Sequence, residues 1–263
     1  MGELILELYS EEIPPRLQIE ARKQLQELIE KAFQEENINC KKIFSYSSPT
    51  RLSLIVIGLP NELKIKSKEI RGPKVNSPDL VLQNFIKAKN VSLKDLYEKN
   101  TDKGKFFFLK TKSKKVLIKD LLPSLILKLL SMISWKKSMK WSDHDLSWGR
   151  PLRSIFLLFN NNKLPIKFDH LDSVDYIIIE NDLNIKKKKV KNFKEYISIL
   201  KSNKIFVDQS ERKKIILQRI NSIGKSKNFK EYINENLLEE VVNIVENPNI
   251  LLISFGKKYL EIP

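Results

Sequence analysis

The chain has 263 residues, 41% of them hydrophobic, which is enough for one large domain or two small ones with a sizeable core. Its one cysteine, Cys40, excludes an internal disulfide framework and a multi-cysteine metal site, and with only two histidines we expect no metal centre. The formal charge of +16 favours a polyanionic partner, whereas the absence of a secretory signal and of any apolar stretch of roughly 20 residues predicts a cytoplasmic protein without a membrane partner.

The first predicted elements are a buried strand over residues 3–9 and an amphipathic helix over 16–36, joined by Glu11-Glu12-Ile13-Pro14-Pro15. Pro15 suits the first helical position, because its φ is fixed and it has no N–H to leave unpaired. The residue before a proline is extended, which keeps Pro14 outside the helix. We therefore expect Glu11 and Glu12 at a rigid corner near a helix N-terminus, where negative charge is favoured. A carboxylate pair alone is weak support for acid–base catalysis, and a well-capped turn is the simpler interpretation.

Short strands and helices alternate along the rest of the chain. Strands are predicted at 43–47, 52–58, 64–70, 106–109, 152–159, 164–168, 174–179 and 250–255, and the basic run 186–189 is predicted to be a solvated loop. Helices are predicted at 78–87, 118–133, 192–200, 208–224 and 236–246. Because this order has no regular βαβ spacing, it predicts an α+β fold with mixed, largely antiparallel sheets and packed helices. We expect two subdomains, over residues 1–160 and 161–263.

The positive charge is unevenly distributed. Residues 1–60 carry 7 Lys and Arg against 9 Asp and Glu, so the remainder carries 41 against 23. A basic surface of this kind typically contacts nucleic acid. The chain is, however, rich in Lys, Ile and Asn, the composition that an AT-rich genome gives to any protein. Charge alone therefore leaves RNA or DNA binding open.

The eight arginines are more informative, because the chain uses Lys five times as often. An arginine fork binds phosphate or carboxylate in a bidentate way that lysine cannot reproduce. Internal salt bridges are the alternative use of the same geometry. Four arginines lie in compact, unusual settings, namely Arg51, Arg71, Arg150 and Arg153.

All three tryptophans fall within residues 134–150, a segment predicted to be irregular. Aromatic rings beside Lys and Arg can stack on unpaired bases while the cations hold phosphates. The alternative is a tryptophan-rich core loop whose arginines pair with local acids. The chain contains no phosphate-binding glycine loop, no H-E-x-x-H and no G-x-S-x-G.

Several short segments are distinctive by their order along the chain: Glu11-Glu12-Ile13-Pro14-Pro15, Ser48-Pro49-Thr50-Arg51-Leu52, Arg71-Gly72-Pro73, residues 101–104, Met139-Lys140-Trp141, Gly149-Arg150-Pro151, and residues 208–212, 237–242, 246–248 and 259–263. In this order and spacing they resemble the beta subunit of the bacterial heterotetrameric (α2β2) glycyl-tRNA synthetase. The resemblance covers essentially the whole chain. Each segment is weak alone, whereas the ordered set is specific.

The resemblance implies an accessory role in attaching glycine to tRNA(Gly). In this family the alpha subunit binds ATP and glycine and forms the adenylate, so ATP and Mg²⁺ are expected there. The resemblance thus implies no catalytic residue and no cofactor on this chain. The beta subunit holds the tRNA. Glu11, Glu12, Pro14 and Pro15 then form either a structural corner or a contact with the alpha subunit. From charge and spacing, and not from the family, we predict RNA contacts by Arg71, Lys74, Lys140, Trp141, Arg150 and Arg153.

Two departures from the family pattern leave alternatives open. Beta subunits of this family are much longer, and we expect this chain to correspond to their N-terminal part, without the downstream HD-like and anticodon-binding domains. A Gly-His-Arg-Phe motif that the family often carries would fall near residues 179–182, where nothing similar stands. A stand-alone basic RNA-binding module, or a fragment without function, is therefore the alternative to a working ligase subunit that is inactive alone.

Overall fold

The computed structural model describes residues 2–65, 67, 69–110, 114–181, 184–228, 232–254 and 256. The chain forms two compact units. The larger unit comprises residues 1–61 and 121–263, and the smaller unit comprises residues 62–120. The boundary expected at 160/161 falls inside the larger unit, between two strands that pair with each other.

In chain order the strands are β1 Gly2–Ser10, β2 Lys42–Ser48, β3 Arg51–Leu59, β4 Glu62–Ile65, β5 Glu69–Lys74, β6 Leu96–Thr101, β7 Gly104–Lys110, β8 Lys114–Leu117, β9 Leu152–Phe159, β10 Asn162–Lys163, β11 Lys167–Phe168, β12 Leu171–Val174, β13 Tyr176–Asn181 and β14 Asn184–Lys189. The α-helices are α1 Pro15–Glu35, α2 Asp79–Lys89, α3 Ile118–Met132, α4 Phe193–Ser202, α5 Gln209–Lys227 and α6 Glu235–Ile244.

A sheet of order β11-β12-β9-β1-β3-β2, with β10 added beside β9, forms the centre of the larger unit. β1 lies between β3 and β9 and pairs antiparallel with both. Nearly every residue of β1 is buried, including Glu7 near its middle. Only β12 runs parallel to its neighbour β9 among the described pairs of this sheet. The predicted α+β class with largely antiparallel sheets is confirmed.

One buried core of the larger unit forms where α4 packs on the sheet. Ile5, Ile55 and Phe156 from three adjacent strands contact Tyr196 and Leu200 of α4 in one buried cluster. Asn192 precedes the first residue of α4, and its side chain accepts a hydrogen bond from the Glu195 N–H, as expected of an N-cap.

Several predicted elements differ from the structure. Residues 186–189 are not a loop: they belong to β14, an exposed strand that pairs antiparallel with β13. Exposed lysines are typical of an edge strand, where they discourage further pairing. The strand predicted at 250–255 is also wrong, because residues 250–254 have no regular secondary structure and residue 255 lies outside the described part. Helix α5 continues past Gly224 and ends at Asn228, which adopts φ 53°.

The smaller unit contains a three-stranded antiparallel sheet of order β5-β7-β6, a separate β4–β8 pair and helix α2. The strand predicted over 64–70 is thus divided between β4 and β5. Phe106 and Phe108 of β7 are buried, whereas α2 has no buried residue. No helix in the described part of the chain combines the length and the apolar character that crossing a bilayer requires.

Candidate nucleic-acid interface

The acidic corner is built from three segments that are far apart in sequence. The Glu11 N–H donates to the Pro151 carbonyl at 3.0 Å, and the Ile13 N–H donates to the Pro49 carbonyl at 2.7 Å. Pro14 adopts φ −56° and ψ 143°, and Pro15 is the first residue of α1, both as predicted. The corner therefore joins the turn before β3 to the segment before β9.

Arg153 lies in an ion cluster beside this corner. Its Nη1 is 3.5 Å from a carboxylate oxygen of Glu11 and 2.7 Å from one of Glu180, which also accepts a hydrogen bond from the Tyr9 hydroxyl. The hydrogen bond from Tyr9, followed by that from Arg153, lowers the pKa of Glu180. Burial is the main reason that the pKa of Tyr9 is raised. Glu12 is exposed. Arg153 thus has two carboxylate partners, and its contact with RNA stays a prediction.

Arg51 is an interior residue, with 1% of its surface exposed. Its guanidinium is 3.3 Å from Glu7 Oε2 and 3.3 Å from Glu246 Oε1, and it donates to the Ile178 carbonyl. Burial raises the pKa of Glu7, while Arg51 and a hydrogen bond from the Tyr196 hydroxyl oppose that shift. Arg51 therefore serves the internal salt-bridge role that the sequence left as the alternative.

The tryptophan-rich segment is mainly a packed loop. Trp148 is buried, with its ring centroid 5.1 Å from that of Trp135 and 5.8 Å from that of Phe168. A Cβ on residue 149 would lie 2.3 Å from the Trp135 ring, so only glycine fits at this position. Trp135 and Trp148 therefore pack together within the loop, as the core-loop alternative predicts.

The remaining predicted contacts of the larger unit lie near the surface of that loop. Lys140 is exposed and its Nζ is 3.2 Å from Asp145 Oδ1. Trp141 is half-buried, and its ring meets that of His170 edge-on at 6.0 Å. Arg150 is half-buried and donates to the Gly149 carbonyl at 2.8 Å. Among the described residues no carboxylate forms an ion pair with Arg150.

In the smaller unit, Arg71 and Lys74 of β5 share an aromatic support. The Arg71 guanidinium carbon lies 3.6 Å from the centroid of the Phe106 ring, and the Lys74 Nζ lies 5.8 Å from it. Phe106 is buried on the neighbouring strand β7, whereas both cations are exposed. Within the described part of the chain, neither cation has a carboxylate partner. A cation over an aromatic face is held in place while its outer donors stay available.

The basic charge is concentrated in this smaller unit. Its 59 residues include 16 Lys and Arg against 7 Asp and Glu, a net charge of +9. The 204 residues of the larger unit carry 32 against 25, a net of +7. The six predicted RNA contacts are therefore divided between the units: Arg71 and Lys74 belong to the smaller one, and the other four to the larger one. Counting charges along the sequence could have revealed that positive charge is denser in residues 62–120. Nothing in the sequence indicated that Phe106 lies beneath Arg71 and Lys74.

One cluster of potential metal ligands went unrecognised in the sequence. His144, Asp169 and His170 place one ligand atom each within 4.8 Å of one another. A hydrogen bond with His170 lowers the pKa of Asp169. The two histidines are 26 residues apart, so spacing gave no sign that they meet.

The chain is thus a basic α+β protein in which one aromatic ring lies beneath two exposed cations, Arg71 and Lys74. This arrangement suits contact with a polyanion. A family model described as glycyl-tRNA synthetase beta subunit matches residues 4–263. Proteins named glycine--tRNA ligase beta subunit from Rickettsia felis, Rickettsia canadensis and Rickettsia prowazekii are 33%, 34% and 32% identical over the whole chain. The chain belongs to this beta-subunit family. It spans 39–40% of the length of these curated relatives.

Proposed function

We propose that this chain is an RNA-contacting part of a glycine--tRNA ligase beta subunit and that its RNA is tRNA(Gly). Membership of the family supports the ligase assignment. The observation that carries the RNA contact is the pair of exposed cations, Arg71 and Lys74, supported by Phe106 in a unit of net charge +9. We place the principal contact in the smaller unit for this reason.

The proposed contact combines the guanidinium of Arg71, which the Phe106 ring holds in place, with the ammonium of Lys74 on its flexible stem. The Phe106 ring restrains the Arg71 guanidinium before RNA arrives, which lowers the entropy that binding has to overcome. Its outer N–H groups can then hold a phosphate in a bidentate way, while Lys74 adds a second charge nearby. Lys140, Trp141 and Arg150 remain candidates for a further contact from the larger unit.

In this proposal the bond-making chemistry lies in the partner subunit. The name beta subunit, which the relatives carry, supports an alpha-subunit partner, and we infer an α2β2 assembly in the cytoplasm. ATP, Mg²⁺ and glycine would bind the alpha subunit, which forms the adenylate. The exposed Glu11–Glu12 corner would serve as a structural corner or as a subunit contact.

RNA contact is tested by measuring the affinity of the purified chain for tRNA(Gly) across a series of salt concentrations. Arg71→Ala combined with Lys74→Ala is expected to reduce the steepness of log K against log salt by about one for each lost phosphate contact. Lys99→Ala combined with Lys115→Ala is the matched control. It removes two charges from the same unit, but these lysines already form ion pairs with Glu69 and Glu62. Equal slopes for the wild type and the double variant would contradict the assignment.

The ligase role is tested separately, by mixing this chain with the alpha subunit and assaying glycylation of tRNA(Gly). Co-purification with stimulated glycylation is the expected result. RNA binding without either would instead favour a stand-alone RNA-binding module. A chain that neither binds RNA, nor co-purifies with the alpha subunit, nor stimulates glycylation would be a fragment without function.

A further inference from the structure

We infer that His144, Asp169 and His170 form a binding site for a divalent transition metal of the Zn²⁺ class, in which two imidazoles and one carboxylate leave part of the coordination shell open to water. The three side chains come from two loops of the larger unit and place their ligand atoms within 4.8 Å of one another. The inference is independent of the RNA contact and of the ligase role.

Each loop has a backbone feature that presents its ligand. Asp169 and His170 form the tight turn between β11 and β12, where Asp169 adopts φ 54°. On the other loop, Ser142 adopts φ 52°, and the His144 N–H donates to the Trp141 carbonyl. The isolated pairing of Met139 with Trp148 closes the base of this second loop. Two separately stabilised turns therefore bring the ligands together.

The two imidazoles lie close enough for one nitrogen of each to reach a shared metal ion once the rings turn. Their rings are nearly parallel, with centroids 3.5 Å apart and 4° between the planes. Two nitrogens on a tetrahedral Zn²⁺, each about 2.0–2.1 Å from the metal, are about 3.4 Å apart. The ligand atoms already lie within 4.8 Å of one another, so small side-chain movements bring the two nitrogens to this distance. Because the bonds to a tetrahedral ion diverge by about 109°, the rings must also turn out of their parallel stack, which moves their centroids apart.

Asp169 completes the donor set. One of its carboxylate oxygens is 2.6 Å from the Nδ1 of His170, a contact that orients the ring and adds negative charge beside it. The Trp141 ring also packs against that of His170, with centroids 6.0 Å apart and the planes at 75°. The side chains of His170 and Asp169 are 23% and 29% exposed, so an ion can reach them from solvent. Imidazole nitrogens with one carboxylate favour Zn²⁺ and similar ions over Mg²⁺ or Ca²⁺, which prefer oxygen ligands.

The inference is tested by adding ZnCl₂ to the metal-free, untagged chain and following binding by calorimetry. One zinc ion per chain is expected. His144→Ala and His170→Ala should each weaken binding at least tenfold, and Asp169→Asn severalfold. Cys40→Ser is the control for zinc bound by the free thiol and should leave the affinity unchanged. Equal zinc binding by the wild type and the double histidine variant, or none by the wild type, would overturn the inference.

A measurement on the wild-type chain keeps the test independent of how the variants fold. The sequence contains only two histidines, so both sets of histidine ring signals in an NMR spectrum come from the proposed site. Both sets of signals should shift together and reach saturation at one equivalent of Zn²⁺. Failure of both to respond at stoichiometric zinc would overturn the inference, as would a shift of one ring alone.

Discussion

Replacement of Arg51 by methionine is predicted to be among the most damaging single changes in the larger unit. The substitution keeps much of the side-chain length but leaves Glu7, with 1% of its surface exposed, as a buried carboxylate without its cation. Breaking a buried pair in this way costs about 3–5 kcal/mol. The carbonyl of Ile178 also loses a donor, which adds to the cost. Since whole domains unfold at about 5–15 kcal/mol, the loss is a large share of the total.

The predicted loss depends on pH through Glu7. Burial already raises the Glu7 pKa above its ordinary value of 4.5. A carboxyl group whose pKa is raised by folding binds more protons in the folded state than in the unfolded state. Its contribution to stability therefore falls as pH rises from the unfolded-state pKa to the folded-state pKa. Removing Arg51 raises the Glu7 pKa further. The cost of Arg51→Met should therefore be smaller near pH 4.5 than at pH 7.5.

Urea unfolding at several pH values, followed by circular dichroism, measures this effect. Adding Glu7→Gln to Arg51→Met should recover about 1–2 kcal/mol, because the uncompensated charge is then gone. Arg219→Met is the control. Arg219 is exposed and, within the described residues, donates to the Pro248 carbonyl and the Asn249 side chain, so its loss should cost less than about 1 kcal/mol. A cost of Arg51→Met that matches the control, or that is the same at both pH values, would refute the reasoning.

Three further changes test other parts of the account. Gly149→Ala places a Cβ 2.3 Å from the Trp135 ring and should lower the free energy of unfolding by about 1–3 kcal/mol, whereas an unchanged urea midpoint would argue against the packed loop. Arg153→Ala removes partly exposed ion pairs, including that with Glu11, and should cost less than about 1 kcal/mol; a larger loss in the same assay would show that the corner depends on it. Arg71→Lys keeps the charge but loses the planar fork, so tRNA affinity should fall at every salt concentration while the salt slope stays close to that of the wild type; full affinity would speak against bidentate contact.

The local elements were predictable wherever a single residue fixed the backbone. Pro15 set the start of α1, and Asn192 and Asp208 set the starts of α4 and α5, because prolines and caps act within one turn of the chain. β14 was missed because lysine has low strand propensity, and only its pairing with β13 overrides that preference.

The roles of individual arginines could not be predicted, because burial is decided by packing between distant segments. Arg51 and Arg71 looked alike in sequence, each beside a proline or glycine turn. In the structure Arg51 faces Glu7 in the core, whereas Arg71 stands exposed over Phe106. Likewise, nothing in the sequence indicated that the backbone of the acidic corner would form hydrogen bonds with the carbonyls of Pro49 and Pro151.

The proposed RNA contact is tested most directly by photo-crosslinking tRNA(Gly) to the full chain and mapping the crosslinked peptides by mass spectrometry. We expect crosslinks in the smaller unit, on peptides that contain Arg71, Lys74 and the neighbouring strand β7. Crosslinks found only on residues 135–153, or only on the acidic first 60 residues, would contradict the central proposal.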